Sequence, residues 1–277
     1  MTDDSSRAFV PGHVTGFFSV HEADDPEQTG SRGAGLTLSD GVTVEVESAA
    51  ETSMQLNDEL AAIEAVTRVL DDLDVTARVT ATTDLPVGAG FGVSGAAALG
   101  TALAANRTFD CGRSENELVV IAHAAEVEAG TGLGDVVAQA RGGVPIRLDP
   151  GAPEYNRMDG VPDRTRVEYL TLGERSTESV ISGNTDRLSE VGVDMLVRLV
   201  EEPILPVLMD ASREFAERAD LLTPEVESVV EDVRAEGGEA AMAMLGETVF
   251  ALGNGLTRAG YDAEFCETHS AGARLSD

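Results

Sequence analysis

The stretch DLPVGAGFGVSGAAAL, residues 84–99, contains four glycines and a single serine, Ser94, but no basic residue. It follows the alternating segment VTARVTATTDLP and opens a run of small residues, so the sequence predicts a strand, a loop and a helix in that order. In such a loop, backbone N–H groups converge on a phosphate, and the helix dipole favours the anion. A tight turn packed under a sheet is the alternative, because a glycine cluster alone is a weak signal.

A loop that binds through its amides needs no lysine of its own. The Ser94 hydroxyl, at the predicted helix start, either caps the helix or binds a Mg²⁺ ion carried by the phosphate. We therefore expect the phosphate-binding residues to be Pro86, Gly88, Ala89, Gly90, Phe91, Gly92, Val93, Ser94, Gly95 and Ala96.

The chain of 277 residues has 50 acidic and 19 basic residues, the latter all arginine, and a formal net charge of -31. The lack of lysine excludes a lysine Schiff base, a pyridoxal phosphate anchor and a Walker-type loop ending in Gly-Lys-Ser/Thr. Because the carboxylates are scattered and 42% of the residues are hydrophobic, the charge indicates a folded halophilic protein. It also argues against nucleic acids and anionic membranes as partners.

Cysteine usage and the N-terminal residues predict the compartment. Cys111 and Cys266 match no metal-binding spacing, so we expect two reduced thiols. The segment MTDDSSRAFV has acids where a signal peptide has a basic region, and no apolar run approaches the roughly 18 residues that span a membrane. We expect a soluble, cytoplasmic protein.

A cluster of prolines between Pro145 and Pro162 predicts a boundary between an N-terminal lobe, residues 1–150, and a C-terminal lobe, residues 151–277. In the first lobe we expect strands at RAFVP, VTGFFSV, GLTL and VTVEVE, with a turn at Ser39-Asp40-Gly41, and helices at NDELAAIEAVTRVLDDL, GAAALGTALAANRTF, NELVVIAHAAEVEAG and LGDVVAQARGG. In the second we expect the strand RVEYLTLG, the helices DRLSEVGVDMLVRLVEE and PVLMDASREFAERADLL, a helix opening at Thr223, and then strand, turn, strand, helix and strand from Ala240. The predicted class is α+β.

Three segments occur in the order found in one kinase family. PVGAGFGVSGAAAL resembles the phosphate loop of the GHMP kinases, the superfamily of galactokinase, homoserine kinase and mevalonate kinase. VPGHVTGFF is similar to the first motif of that family, and AEVEAGTGLGD to its Glu…Ser-Gly-x-x-Asp region. Together with TGSRGAG, these segments resemble more narrowly the archaeal branch that phosphorylates pantoate in coenzyme A biosynthesis.

The resemblance implies a two-lobed fold, with a β-rich N-terminal lobe carrying helices, a ferredoxin-like C-terminal lobe, and ATP bound between them. It implies ATP- and Mg²⁺-dependent transfer of a phosphoryl group to the primary hydroxyl of pantoate, with a homodimer as one allowed assembly. Three departures from the family pattern stand out. His13 replaces a lysine, Val93 replaces the first of two serines, and the C-terminal glycine-rich motif is reduced to Gly246 in AMAMLGETVFAL.

The resemblance also assigns roles to the polar residues of these segments. Asp135 meets the substrate hydroxyl as general base or orienting group, with a plain helix N-cap as the alternative. Glu126, nine positions earlier, binds Mg²⁺ together with Ser94, whereas Glu128 is a solvated acid. His13 donates to the substrate or to the transferred phosphoryl group, with a structural histidine as the alternative.

Pantoate is a carboxylate, so an acidic protein must place a cation or a cluster of N–H groups against it. Arg32, with Ser31, is the first candidate, and Arg141 is the second; a surface β-turn arginine is the alternative for Arg32. Thr15 is a further substrate-binding candidate. Two other functions stay open: a kinase for another small alcohol, such as homoserine, mevalonate or shikimate, and a non-catalytic nucleotide-binding sensor.

Overall fold

The computed structural model describes residues 5–173, 185–244 and 246–276. Within these ranges the strands are β1 (Ser5–His21), β2 (Gly30–Ser48), β3 (Ser53–Leu56), β4 (Glu59–Leu60), β5 (Ala77–Thr82), β6 (Val144–Asp149), β7 (Arg157–Val161), β8 (Arg166–Gly173), β9 (Ala240–Ala243), β10 (Glu247–Leu252), β11 (Glu264–Glu267) and β12 (Arg274–Ser276). The helices are α1 (Glu64–Asp72), α2 (Val93–Thr108), α3 (Glu115–Glu128), α4 (Asp135–Arg141), α5 (Thr185–Glu201), α6 (Leu205–Arg218), α7 (Pro224–Ala235) and α8 (Gly255–Arg258).

The described strands form two sheets. The first has eight strands in the order β12-β1-β2-β5-β3-β4, with β6 paired to β2 and β7 paired to β6. The second has four antiparallel strands in the order β11-β8-β10-β9, and its chain order of strand, helices, two strands, helix and strand is ferredoxin-like. The predicted α+β class with two such lobes is therefore confirmed.

The two longest strands differ from the prediction. β1 and β2 each run without interruption where two short strands were expected, and β2 passes straight through the predicted turn at Ser39-Asp40-Gly41. The pairing with β1 shifts between Pro11 and His13 instead. Gly41 lies opposite Pro11, and a Cβ there would come within 2.2 Å of the Val10 carbonyl oxygen. The glycine therefore marks a close backbone approach inside a strand, not a reversal of the chain.

The helix predicted over NDELAAIEAVTRVLDDL begins later than expected, at Glu64. The residues before it form the hairpin of β3 and β4, whose two-residue loop is Asn57 and Asp58. Both loop residues have positive φ, 50° and 66°, which is the conformation that a tight hairpin requires and that asparagine and aspartate tolerate.

Helices of both lobes pack against β1. On one side lies α2, where a Cβ at Gly100 would come within 2.5 Å of Val44 Cγ2 on β2. From the C-terminal lobe, α5 approaches β1 so closely that a Cβ at Gly192 would lie 2.0 Å from the Phe18 carbonyl oxygen. Small residues thus allow both lobes to share one central strand, which carries His13 and Thr15 to the site.

The domain boundary at residue 150 remains our proposal. Strand pairing places β7 and β12 in the first sheet, so the change from one sheet to the other falls between Val161 and Arg166. Among the described residues, none of the helices combines the length and the apolarity that crossing a bilayer requires.

Candidate active site

The glycine loop lies between β5 and α2, as predicted. Gly88, Gly90 and Gly92 have φ values of 77°, 89° and 65°, a conformation that side chains rarely adopt. Gly92 is the N-cap of α2, and most of this helix is buried. A Cβ at Gly88 would meet no atom within 4 Å, so this glycine faces open space. The loop therefore exposes backbone to a cavity.

That cavity has a volume of about 750 Å³. Its walls come from the glycine loop, from the segment before α1, from the loop between α3 and α4, and from the turn between β9 and β10. The lining residues from these segments and β1 include Thr15, Leu56, Ala61, Ala62, Ile63, Glu64, Val87, Gly88, Gly90, Phe91, Gly92, Val93, Ser94, Gly95, Glu126, Ala129, Gly130, Thr131, Asp135 and Met244. Of the predicted phosphate-binding residues, Pro86, Ala89 and Ala96 are not in this lining.

Glu126, near the end of α3, is buried against the start of α2. The hydroxyls of Ser94 and Thr131 donate to its Oε1 atom at 2.6 and 2.8 Å. Burial raises the pKa of Glu126 to about 7, in spite of these hydrogen bonds. A Cβ at Gly132 would lie 2.4 Å from the other carboxylate oxygen, so this glycine makes room for it. The predicted pair of Ser94 and Glu126 is thus brought together at the cavity.

Asp135 opens α4, and its side chain faces the buried imidazole of His13. The two groups share a hydrogen bond of 2.6 Å between His13 Nδ1 and Asp135 Oδ1. Burial lowers the pKa of His13 below its ordinary value. Burial works against ionisation of Asp135 as well, but the hydrogen bond and the electrostatic interaction with His13, together with the nearby charge of Arg147, outweigh it and lower the pKa of this carboxyl. Asp135 is therefore an anion at neutral pH.

Two polar residues of the site, Arg147 on β6 and the Thr131 described above, were not predicted from the sequence. The Arg147 side chain is buried, and its Nε and Nη1 atoms have no hydrogen-bond partner among the described residues. It lines a small cavity of about 20 Å³ together with Thr15, Phe18, Ser31, Leu133, Gly134 and Asp135. Burial lowers the pKa of Arg147 to about 10, so the guanidinium stays charged at neutral pH.

Glycine again allows this approach, because a Cβ at Gly134 would lie 2.5 Å from Ser31 Oγ and 2.8 Å from Arg147 Nε. Ser31 donates to the Leu133 carbonyl at 3.3 Å. Of the predicted substrate-binding residues, Thr15 lines both cavities and Ser31 the small one.

The two arginines selected from the sequence line neither cavity. Arg32 has its Nη2 atom 3.5 Å from Asp149 Oδ1, and about a third of its side chain is exposed. Arg141 is exposed, and its guanidinium lies beside Gly160 of β7.

The second lobe reaches the glycine loop through the turn after β9. Met244 donates its N–H to the Thr15 carbonyl at 2.9 Å, and the Thr248 hydroxyl donates to the Ala89 carbonyl at 2.9 Å. A Cβ at Gly246 would lie 2.1 Å from that same Ala89 carbonyl oxygen. The single glycine left in this motif is therefore where the two lobes touch at the loop.

Comparison with known proteins agrees with this fold. The family described as GHMP kinases N terminal domain matches residues 60–143, which contain the glycine loop and Glu126. A solved structure described as a phosphotransferase related to the CoA biosynthesis pathway superposes with a TM-score of 0.87 at 29% identity, and the match covers 98% of each chain. The chain belongs to the GHMP kinase family.

Two relatives within this family match most of the chain and have a named substrate. Pantoate kinase from Methanospirillum hungatei is 36% identical over 255 residues, covering 89% of this chain and 86% of the relative. Pantoate kinase from Methanocaldococcus jannaschii is 34% identical over 255 residues, covering 88% and 91%.

Proposed function

We propose that this protein is an ATP- and Mg²⁺-dependent kinase that phosphorylates the primary hydroxyl of pantoate, giving 4-phosphopantoate for coenzyme A biosynthesis. The similarity to pantoate kinases supports this function. Within the site, one observation carries it: the buried guanidinium of Arg147 has unpartnered nitrogens next to Asp135. Pantoate has a carboxylate at one end and the reacting hydroxyl at the other, and these two groups match Arg147 and Asp135.

A buried guanidinium without full hydrogen bonding costs free energy, which a bidentate carboxylate ligand offsets. Arg147 is the one cation among the described residues that line either cavity. We therefore assign the substrate carboxylate to Arg147, with Thr15 and Ser31 beside it, and we assign Arg32 to the ion pair with Asp149.

The larger cavity fits a nucleotide and its metal ion. The amides around Gly88, Gly90 and Gly92 would hold the phosphates, and the apolar wall of Leu56, Ala61 and Ile63 would contact the adenine. Ser94 and Glu126 supply two oxygen ligands, and no group of three or more histidine, cysteine or acidic residues suited to a metal occurs among the described residues. Two protein oxygens suit Mg²⁺, which takes its other ligands from phosphates and water and neutralises phosphate charge when bound.

The residues of the site divide the work of phosphoryl transfer. Arg147 would hold one end of pantoate, so that the hydroxyl at the other end lies at Asp135. The hydroxyl oxygen forms a bond to the γ-phosphorus of ATP, the bond from this phosphorus to the ADP oxygen breaks, and Asp135 accepts the hydroxyl proton. Because the transition state of this reaction is loose, orientation by Asp135 matters more than its strength as a base.

An ADP-release assay in high KCl over a panel of hydroxy acids tests the proposal, with ³¹P NMR to identify the product. We expect turnover with pantoate, a phosphomonoester product, and loss of turnover in Asp135→Asn with ATP affinity nearly unchanged. Turnover with homoserine, mevalonate or shikimate in place of pantoate would support kinase activity but refute pantoate as the acceptor. ATP binding without turnover on any acceptor would favour a nucleotide sensor.

We also propose that the enzyme works in a salt-rich cytoplasm. The net charge of -31 on a chain with 42% hydrophobic residues supports this, because such self-repulsion needs screening. The homodimer stays a prediction, which light scattering at high salt would test.

A further inference from the structure

We propose that His13 is a positioning residue whose imidazole is neutral, carries its proton on Nδ1 and fixes Asp135 for the transfer, so that the positive charge beside this carboxylate comes from Arg147. This inference rests on the proposed function, since it takes Asp135 as the group that meets the acceptor hydroxyl. It differs from the expectation that His13 itself donates to substrate or phosphoryl group.

Burial removes His13 from direct contact with ligands. Its side chain is 0% exposed, and His13 lines neither of the two cavities. A Cβ at Gly35 on β2 would lie 2.6 Å from His13 Nε2, so the ring fills the space that this glycine leaves. Asp135 lines both cavities. The His13 side chain can therefore influence the reaction only through neighbours that line the cavities, chiefly Asp135 at 2.6 Å and also the Thr15 hydroxyl at 3.5 Å.

The hydrogen bonds of the ring determine its protonation. Nδ1 lies 2.6 Å from Asp135 Oδ1, which as a carboxylate only accepts, so Nδ1 carries a proton. Nε2 is buried and has no hydrogen-bond partner among the described residues. A proton on Nε2 would be an orphaned buried donor, which is costlier than an unused lone pair. Burial is the main cause of the lowered pKa of His13. Of the two charged groups that face the ring, Asp135 favours an imidazolium through its hydrogen bond and charge, and Arg147 disfavours it.

His13 also connects Asp135 to the glycine loop. Its backbone N–H donates to the Phe91 carbonyl at 2.9 Å, while its side chain donates to Asp135. One residue of β1 thus fixes both the loop that would hold the phosphates and the carboxylate that would meet the acceptor. With Oδ1 occupied by the imidazole, Oδ2 is the oxygen left for the acceptor hydroxyl.

Two variants of similar volume separate the hydrogen bond from packing. His13→Asn keeps an N–H donor near the position of Nδ1, and His13→Leu keeps bulk without a donor. We expect His13→Leu to lower kcat by about 100-fold with less than a threefold change in the KM for ATP, and His13→Asn to recover at least tenfold of the loss. His269→Asn is the control, because the His269 side chain contacts Arg274 and Phe9 and lines neither cavity.

Nitrogen-15 NMR of the imidazoles in the wild-type protein tests the same inference without a variant. We expect one histidine ring with Nδ1 protonated and Nε2 unprotonated from pH 6 to 8, and we expect its signals to be absent in His13→Asn. Two protonated nitrogens at pH 7, or equal loss of kcat in both folded variants, would overturn the inference. If the wild-type protein does not phosphorylate pantoate, the proposed function fails, but the NMR result still decides the state of His13.

Discussion

Glu126 and Asp135 are two carboxylates of one site whose surroundings shift their pKa values in opposite directions. Burial raises the pKa of Glu126 to about 7, and the hydrogen bonds from the Ser94 and Thr131 hydroxyls offset this rise only in part. The pKa of Asp135 is lowered, because the hydrogen bond and electrostatic interaction with His13 and the charge of Arg147 outweigh burial. Opposite pKa shifts suit two different roles in one site. Asp135, which is ionised at neutral pH, faces the acceptor, whereas Glu126 gives up its proton when a cation binds beside it.

Replacement of Glu126 by glutamine should make stability less dependent on pH. The folded-state pKa of Glu126, about 7, lies above the ordinary 4.5, so the folded protein binds a proton that the unfolded chain has lost. The wild type therefore loses stability relative to Glu126→Gln as pH rises from about 4.5 to 7, by on the order of 3 kcal/mol. Urea unfolding at pH 5 and pH 8, without nucleotide or Mg²⁺, measures this. Glu128→Gln is the control, because Glu128 is exposed and pairs with Arg68; parallel pH curves for all three proteins would contradict the prediction.

Arg147→Met should weaken the binding of pantoate far more than the binding of ATP. Methionine fills the volume of the arginine stem without charge, and loss of the cation from a buried carboxylate costs about 2–5 kcal/mol. We expect the KM for pantoate to rise at least 30-fold, that for ATP less than threefold, and Tm to hold or increase. Steady-state kinetics and thermal melts measure this. Arg32→Met is the matched control. If it raised the KM for pantoate more than Arg147→Met did, the residue that binds the substrate carboxylate would be Arg32.

Site residues that stand in short sequence motifs could be predicted from the sequence, whereas a site residue that is distinguished by its burial could not. The loop glycines, Ser94, Glu126 and Asp135 stand in short motifs, and the fold brings them to one cavity. Arg147 lies in VPIRLD, where nothing distinguishes a buried arginine from a solvated one on a strand. Arg147 is packed against Gly134, just before α4, and lines the small cavity with Ser31 of β2, and neither neighbour belongs to the local sequence around Arg147.

At the scale of elements, a side chain added to the glycine loop at Gly88 should cost little stability but weaken ATP binding. Gly88 and Gly112 have similar φ values, 77° and 71°, and a Cβ at either would meet no atom within 4 Å. Gly88→Ala and Gly112→Ala should therefore lose similar stability, about 1 kcal/mol each. Only Gly88→Ala projects into the cavity, so we expect its Kd for ATP to rise about tenfold. Equal ATP affinity in the two variants, measured by calorimetry, would reduce the loop to a structural turn.

Elements with their own capping and periodicity were predicted from the sequence, and elements that depend on partners were not. Thr223 caps α7 as expected, accepting from the Val226 N–H, and α5 and α6 follow their apolar pattern. Residues 57–60, the loop and second strand of the hairpin of β3 and β4, were predicted as the start of a helix. The hairpin is held in place by the pairing of β3 with β5, which is distant in sequence and leaves no local signal. β12 was missed for the same reason: three residues form a strand only because β1 is there to pair with them.

At the scale of the whole molecule, stability should depend on salt. The formal charge is -31, and many of the described ion pairs lie at the surface, such as those of Arg198 and Arg218 with helix carboxylates. Exposed pairs contribute little, so screening of the net charge dominates. Because the Debye length falls from about 10 Å at 0.1 M to about 3 Å at 1 M, we expect Tm to rise by more than 10 °C between 0.1 and 3 M KCl. A constant Tm across this series would contradict the halophilic interpretation.

The pairing of β12 with β1 bears on how the protein is made. Residues 7–9 align with residues 274–276, and the Thr37 hydroxyl donates to the His269 carbonyl, so the first sheet needs segments from both ends of the described chain. On the ribosome, the first lobe can bury its central strands early, but the edge of β1 stays open until residue 276 has left the exit tunnel. Contacts of such sequence separation form slowly. A nascent chain released too soon would expose that edge to other nascent chains, with aggregation as the cost.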